Sequence, residues 1–222
     1  MDFLKSYGQF LSDRMPDILV AFREHLIISF LSIAFGCLVA IPIGVYLAGN
    51  RIKWINSLVF ALSNLLQTVP SLALLAILIP LIGVGMKPAI IALFLYSLMP
   101  IMRNTFTGFQ AVNPHLIEAA RGMGYSSIQR LVRIQLPLAL PYIMSGVRVT
   151  TVYIISWATL ATLIGAGGLG QLIVAGMGVN KKELIFTGAI LAVILALIAD
   201  FVLGALEKWL TSRTKTSGAK TA

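Results

Sequence analysis

Charge is scarce in this 222-residue chain. Asp, Glu, Lys and Arg make up 11% of it, against about 25% in an ordinary soluble domain. Hydrophobic residues make up 58%, and the mean hydropathy is +0.92. That balance argues against a soluble domain, a disordered chain and a coiled coil. Cys37 is the single cysteine, which excludes an internal disulfide and a cysteine-built metal site. The two histidines, His25 and His115, stand far apart with no ligand spacing, so a metalloenzyme is disfavoured. There is no G-x-x-x-x-G-K-[ST] segment, and hence no P-loop for a nucleotide. No brief apolar region followed by a cleavage site opens the chain, so its first long apolar run reads as a retained span.

What charge there is runs basic, with a net of +9. A basic balance raises nucleic acid as a partner. Here the basic residues sit between long apolar runs, which fits the positive-inside rule of membrane proteins better. Uncharged runs occur at 26–50, 54–86, 88–102, 149–180 and 184–199. A spanning helix needs about 20 apolar residues, and the runs predict an all-α, polytopic protein with spans near 26–48, 57–82, 88–109, 138–163 and 184–206. The run 54–86 contains Gln67-Thr68-Val69-Pro70-Ser71. One long helix kinked at Pro70 fits it, and so do two short helices. Five spans put Arg51 and Lys53, then Arg103, Arg121, Arg130 and Arg133, then Lys208, Arg213, Lys215 and Lys220 in the cytoplasm. Residues 1–25 then lie outside. They read as an amphipathic interfacial segment of one or two helices, with Pro16 as the break. Residues 209–222 read as a polar, basic, disordered cytoplasmic tail. Trp54 and Trp209 fall at the interfaces, as belt aromatics do.

The segment between the third and fourth spans, about 111–137, holds most of the information. Asn113 suits an N-cap and Pro114 the first helical position. Gly122 and Gly124 suit the end of a short helix. Ser126 or Ser127 then caps a second short helix running through Arg133. The segment reads either as a connector on the bilayer surface or as a docking helix. In the second case the small Ala119 and Ala120 admit another protein's surface, and Glu118 offers a charge. Elsewhere, Arg103 near the inner end of span three either snorkels, pairs with Glu118 or docks a partner. Arg148 and Asp200 lie within spans four and five, where charges face protein or water and find a partner. Their mutual contact, or a role in a pathway, competes with separate anchoring. Pro70 marks a kink, structural or gating. Gly165, Gly167, Gly168 and Gly170 permit a tight or re-entrant turn, or close packing. Cys37 reads as a small packing residue and His25 as an interface residue.

Glu118-Ala119-Ala120, three residues, Gly124, nine residues, Ile134, one residue, Leu136-Pro137 resembles the EAA loop of ABC importer permeases at every fixed position. Gln67-Thr68-Val69-Pro70-Ser71, Gly83-Val84-Gly85, Pro100-Ile101-Met102-Arg103-Asn104-Thr105 and Ile164-Gly165-Ala166-Gly167-Gly168-Leu169-Gly170 look like the osmoprotectant branch, the glycine betaine/carnitine/choline permeases. Methionine-importer permeases are similar in size and share the loop. The resemblance implies the type I importer fold over residues 26–208, in a bacterial cytoplasmic membrane. It implies a second permease subunit, same or different, and a substrate-binding protein as partners. It also implies cytoplasmic ATPase subunits that hold the ATP and Mg, with no cofactor on this chain. Glu118, Ala119, Ala120, Arg121 and Gly124 are carried over as the ATPase-coupling contact. A quaternary ammonium solute favours aromatic faces. Tyr96, Tyr142, Tyr153 and Trp157 are candidates for it, against ordinary lipid or helix contact. An ion-coupled carrier is the reading from another class, but the inverted repeat such proteins often show is not evident.

Overall fold

The computed structural model describes residues 2–50 and 52–215. Arg51 and Lys220, both read above as cytoplasmic, lie outside the described residues, as do the side chains of Lys5, Arg213 and Lys215. The architecture is all-α. In chain order come α1 (Asp2–Gly49), α2 (Lys53–Thr68), α3 (Ser71–Ile82), α4 (Met86–Gln110), α5 (Pro114–Gly122), α6 (Ser127–Arg130), α7 (Leu136–Ala158), α8 (Leu169–Gly178) and α9 (Lys182–Lys215). Four stretches are long and apolar enough to cross a membrane: Tyr7–Gly49, Met86–Gln110, Ser127–Ala158 and Lys182–Ser212. The bent pair α2–α3 makes a fifth when counted as one span.

Helix α4 is the centre. Its Ile101 and Met102 bury against Ala40 and Leu47 of α1. Its Ala89, Ala92, Leu93 and Tyr96 join Leu74, Leu75 and Leu78 of α3 and Ile154, Ala158 and Ala161 beyond. Against α7 the backbones come close. A Cβ on Gly108 would stand 2.8 Å from the Tyr142 Cβ, and one on Gly146 2.5 Å from the Asn104 Cβ. Small residues at a crossing let membrane helices gain dispersion contacts where the hydrophobic effect between helices is absent.

Helix α1 departs from the sequence reading. It runs unbroken for 48 residues with Pro16 and Pro42 inside it, so no helix break falls at Pro16. An internal proline costs about 3 kcal/mol in an isolated helix. Here the helix around it is held by packing, with Phe10, Ile18 and Ala21 buried against Leu169, Leu172, Leu184 and Leu195. Local propensity yields to that burial. At about 1.5 Å per residue the helix is roughly 72 Å long, more than twice the hydrocarbon thickness.

Two other boundaries differ. The helix begun at Ser126 does not stop at Arg133. A π-turn, Leu131–Gln135, carries it into α7, although Pro137 and Pro141 lie ahead. The disordered tail expected from Trp209 onward is helical as far as Lys215, as the end of α9.

After α7 the chain turns through a 3-10 segment, Leu160–Ile164, into the glycine turn. Gly165, Gly167 and Gly168 have φ of +75°, +79° and +83°, a region that side chains with a Cβ rarely occupy. Helix α1 clamps this turn. The Gly168 N–H donates to Glu24 Oε2 at 2.9 Å, and the Leu169 N–H donates to His25 Nδ1 at 3.3 Å. His25 Nε2 then donates to the Ile155 carbonyl at 3.0 Å. His25 is therefore fully buried rather than interfacial. Gly170 sits directly on the Thr159 carbonyl, with no room for a Cβ. Replacing Gly170 by valine is expected to cost about 1–3 kcal/mol through overpacking. Thermal unfolding of the purified subunit in detergent checks this, and an unchanged midpoint contradicts the packing described.

Candidate functional site

The segment between α4 and α7 forms as a self-capped corner. The Asn113 side chain accepts from the His115 N–H at 2.9 Å, and Pro114 occupies a position where its missing N–H has no cost. At the other end Gly124 turns left-handed, with φ +83°. The Tyr125 and Gly124 N–H groups close on the Ala120 and Arg121 carbonyls, each at 3.0 Å, the Schellman ending. Gly122 takes no part in this and stays helical. Ser126 opens α6 through a reciprocal cap. The Gln129 N–H donates to Ser126 Oγ at 3.3 Å, and the Ser126 N–H donates to Gln129 Oε1 at 2.8 Å. Arg130 staples the corner, donating to the Tyr125 carbonyl at 2.7 Å and to Ser127 Oγ at 3.1 Å.

These caps set which faces are free. Glu118, Ala119, Arg121 and Gly124 are exposed. Among the described residues Glu118 is paired with His115 alone, at 3.9 Å, with both side chains open to solvent. Ala120 is different. It is fully buried in its own chain, so of the two alanines only Ala119 is open to another protein. Sequence reasoning also missed the apolar knobs around it. Leu116, Met123 and Ile128 are 48%, 69% and 74% exposed, on a corner without a covering element.

A second constellation surrounds Pro70. Helices α2 and α3 meet there at 95°, so the run is two short helices, not one kinked helix. The break frees the Val69 carbonyl, and Tyr96 on α4 donates its hydroxyl to it at 2.5 Å. Gln67 returns the contact, donating to the Tyr96 carbonyl at 3.0 Å. Tyr96 also meets Trp157 edge-on, with ring centres 4.8 Å apart. Tyr153 stacks on Trp157 at 6.1 Å. Pro70, Tyr96, Tyr153 and Trp157 thus come together, with the outer ring of the row, Tyr153, half-exposed. Tyr142 is not among them. It lies one α4–α7 crossing away, against Gly108.

The charges inside the spans fall into two kinds. Arg148 grips Asp200 with both arms, Nε to Oδ1 at 2.6 Å and Nη2 to Oδ2 at 2.7 Å. Its Nη1 also reaches Glu207 at 3.6 Å. The guanidinium lies over Gly204, where a Cβ would stand 2.9 Å from its carbon. Arg103 does not meet Glu118. It stands over the Phe60 ring, 5.7 Å from its centre. Among the described residues no group of three or more His, Cys, Asp or Glu side chains is placed to hold a metal.

The family described as the binding-protein-dependent transport system inner membrane component matches residues 40–216. The chain belongs to that family. It is similar to the choline transport system permease protein OpuBB of Bacillus subtilis, 45% identical over 91% of this chain and 93% of that one. It is similar also to the carnitine transport permease protein OpuCB of Listeria monocytogenes, 46% identical over 92% and 93%. The inward-facing MetNI methionine ABC transporter shares the fold, with a TM-score of 0.81, 26% identity and coverage of 90% and 98%. The protein is therefore a multi-pass component of a cytoplasmic membrane with the type I importer architecture. It is a transport subunit and not an enzyme. The family works with a substrate-binding protein and with a separate ATPase.

Glu207 was legible but overlooked. Asp200, Gly204 and Glu207 recur at helical spacing on one side of α9, with the small residue between two acids where a long cation lies down. This geometry makes the two charge-removing variants unequal. Asp200→Asn leaves Arg148 with Glu207, whereas Arg148→Gln strands two carboxylates at membrane depth. Arg148→Gln is expected to lower the unfolding midpoint of the purified subunit clearly more than Asp200→Asn. Equal losses, or the reverse order, contradict the triad.

Proposed function

We propose that this chain is the membrane-spanning subunit of an ATP-binding-cassette importer. Its cargo is a quaternary ammonium compatible solute: glycine betaine, carnitine, choline or a similar compound. The observation that carries this reading is the 45–46% identity, over nine-tenths of the chain, to permeases named for choline and carnitine. The methionine transporter is a match in fold at lower identity. The aromatic row supplies suitable chemistry, because a methylated ammonium is drawn to aromatic faces in a desolvated setting. In this reading Pro70 opens the path between α2 and α3, and Tyr153 and Trp157 offer their faces to the passing cation. Arg148 and Asp200 brace α7 against α9 beside the path. Residues 26–208 form the permease body, residues 1–25 an outer segment and residues 209–222 a basic cytoplasmic tail.

The corner at 111–137 is the contact through which the ATPase drives transport. Ala119 admits the partner's backbone, Glu118 and Arg121 supply charge at its edges, and Gly124 and Ala120 keep the corner's shape. Leu116, Met123 and Ile128 give the contact its apolar area. Burying one such side chain contributes roughly 1.5–3 kcal/mol. Met123→Asp is expected to weaken ATPase retention about tenfold or more, read as the ATPase that co-purifies with the tagged permease. Full retention overturns the docking role.

Uptake decides the cargo. Proteoliposomes holding the permease, its ATPase and its binding protein are expected to take up labelled glycine betaine, carnitine or choline only with internal ATP. Trp157→Ala and Tyr153→Ala are expected to slow that uptake about fivefold or more, in line with about 1–2 kcal/mol for a desolvated cation–π contact, with the ATPase still bound. Uptake of methionine alone, or uptake by the permease without ATP, sinks the proposal.

A further inference from the structure

The break at Val69–Pro70 divides one span into halves that are held very differently. Helix α3 buries Leu74, Leu75 and Leu78 in the core beside α4. Helix α2 buries none of its residues in this chain. Its Ile55, Val59 and Phe60 lean on the cluster shared by α1 and α4 and stay partly open. Among the described residues, two side-chain hydrogen bonds tie α2 to neighbouring helices. Asn56 donates to the Leu47 carbonyl at 3.1 Å, next to the loop that already joins α2 to α1. Gln67 donates to the Tyr96 carbonyl at 3.0 Å, at the break itself.

Val69 and Pro70 are both extended, with ψ of 126° and 138°. Proline locks its own φ, so the 95° angle between the halves rests on few free torsions, as hinges do. Tyr96 holds that angle from both sides. Its hydroxyl donates to the Val69 carbonyl at 2.5 Å, and its carbonyl receives Gln67. Its ring is 3% exposed, which leaves no open face for a solute. Packing against Trp157 needs only the ring, whereas the hydroxyl serves the break. A Val69 carbonyl released from Tyr96 needs water in its place, so release is costly in a dry joint and cheap in a wetted one.

We infer that Val69–Pro70 is a hinge, that Tyr96 and Gln67 form its latch, and that α2 is the half that moves. Latched, the joint stays closed beside the aromatic row. Unlatched, α2 swings while α3 remains seated in the core, and the solute passes. Tyr96 acts through the joint and is a positioning residue. The inference rests on the proposed solute path past Pro70 and adds what controls it.

The test uses the complete importer with its binding protein and ATPase in proteoliposomes. Tyr96→Phe keeps the ring and removes the hydroxyl bond. Gln67→Met keeps the length and removes the donor from an exposed side chain, so it decides the matter if Tyr96→Phe fails to assemble. Ser32→Ala is the structural control. Ser32 Oγ donates from α1 to the Ile90 carbonyl of α4 at 3.2 Å, a comparable bond away from the hinge. Two quantities are read: efflux of preloaded glycine betaine without ATP, and ATP hydrolysed per solute imported. Loss of one latch bond shifts the balance of closed and open joints about fivefold. Tyr96→Phe and Gln67→Met are each expected to raise the leak about fivefold and to raise the ATP spent per solute, with both quantities unchanged in Ser32→Ala. Slower uptake with wild-type leak and coupling in both latch variants overturns the latch. An equal leak in Ser32→Ala overturns it too, because any loosened contact then suffices. A wild type that imports none of glycine betaine, carnitine and choline refutes the import reading itself, a failure seen before any variant is compared.

Discussion

A peptide group that leaves its helix inside a bilayer has to find another hydrogen-bond partner, because no water is there to take it. Among the described residues, two breaks between apolar helices are closed by side chains from a neighbour. At Val69–Pro70 the freed carbonyl takes the Tyr96 hydroxyl. At Gly168–Leu169 the freed N–H groups go to Glu24 and His25. The donors and acceptors come from α4 and α1, which pack on each other. Packing and backbone satisfaction therefore depend on the same two elements. The aromatic row exists because Tyr96 must reach Val69, and Trp157 packs on the ring that does so.

Much of this was legible in the sequence. Apolar runs located the spans, and the punctuation of Asn113-Pro114, Gly124 and Ser126 located the corner between α4 and α7, because caps are local and their chemistry is written in adjacent residues. The charge pair Arg148–Asp200 followed from the cost of isolated charge at depth. What escaped were consequences of contact between distant segments. Pro16 reads as a break until α1 is seen packed on α8 and α9. The second short helix reads as ending at Arg133 until the π-turn carries it into α7. Ala119 and Ala120 are identical in sequence terms, and only the direction of α5 separates the exposed one from the buried one. His25 looked like an interfacial residue because its two partners lie 130 and 144 positions away.

The arginines illustrate how one residue type serves opposite ends. Arg148 is neutralised twice over and lies flat on Gly204, a brace between two helices. Arg103 stands over the Phe60 ring, exposed, with no acid in contact among the described residues. Burial alone does not tell these apart. The distinction lies in whether the neighbouring helix supplies acids at the right spacing, as α9 does and α2 does not.

From Ser127 to Ala158 the helix runs for 32 residues without a loop, the π-turn included, a rod of roughly 48 Å at 1.5 Å per residue. Its N-terminal end is locked to the corner by Arg130 and the Ser126–Gln129 cap. Near its far end stand Tyr153 and Trp157. A rod of this kind transmits both shift and twist. Any rotation applied at the corner would be carried along this axis to Trp157, whose ring packs on Tyr96 at the α2–α3 joint.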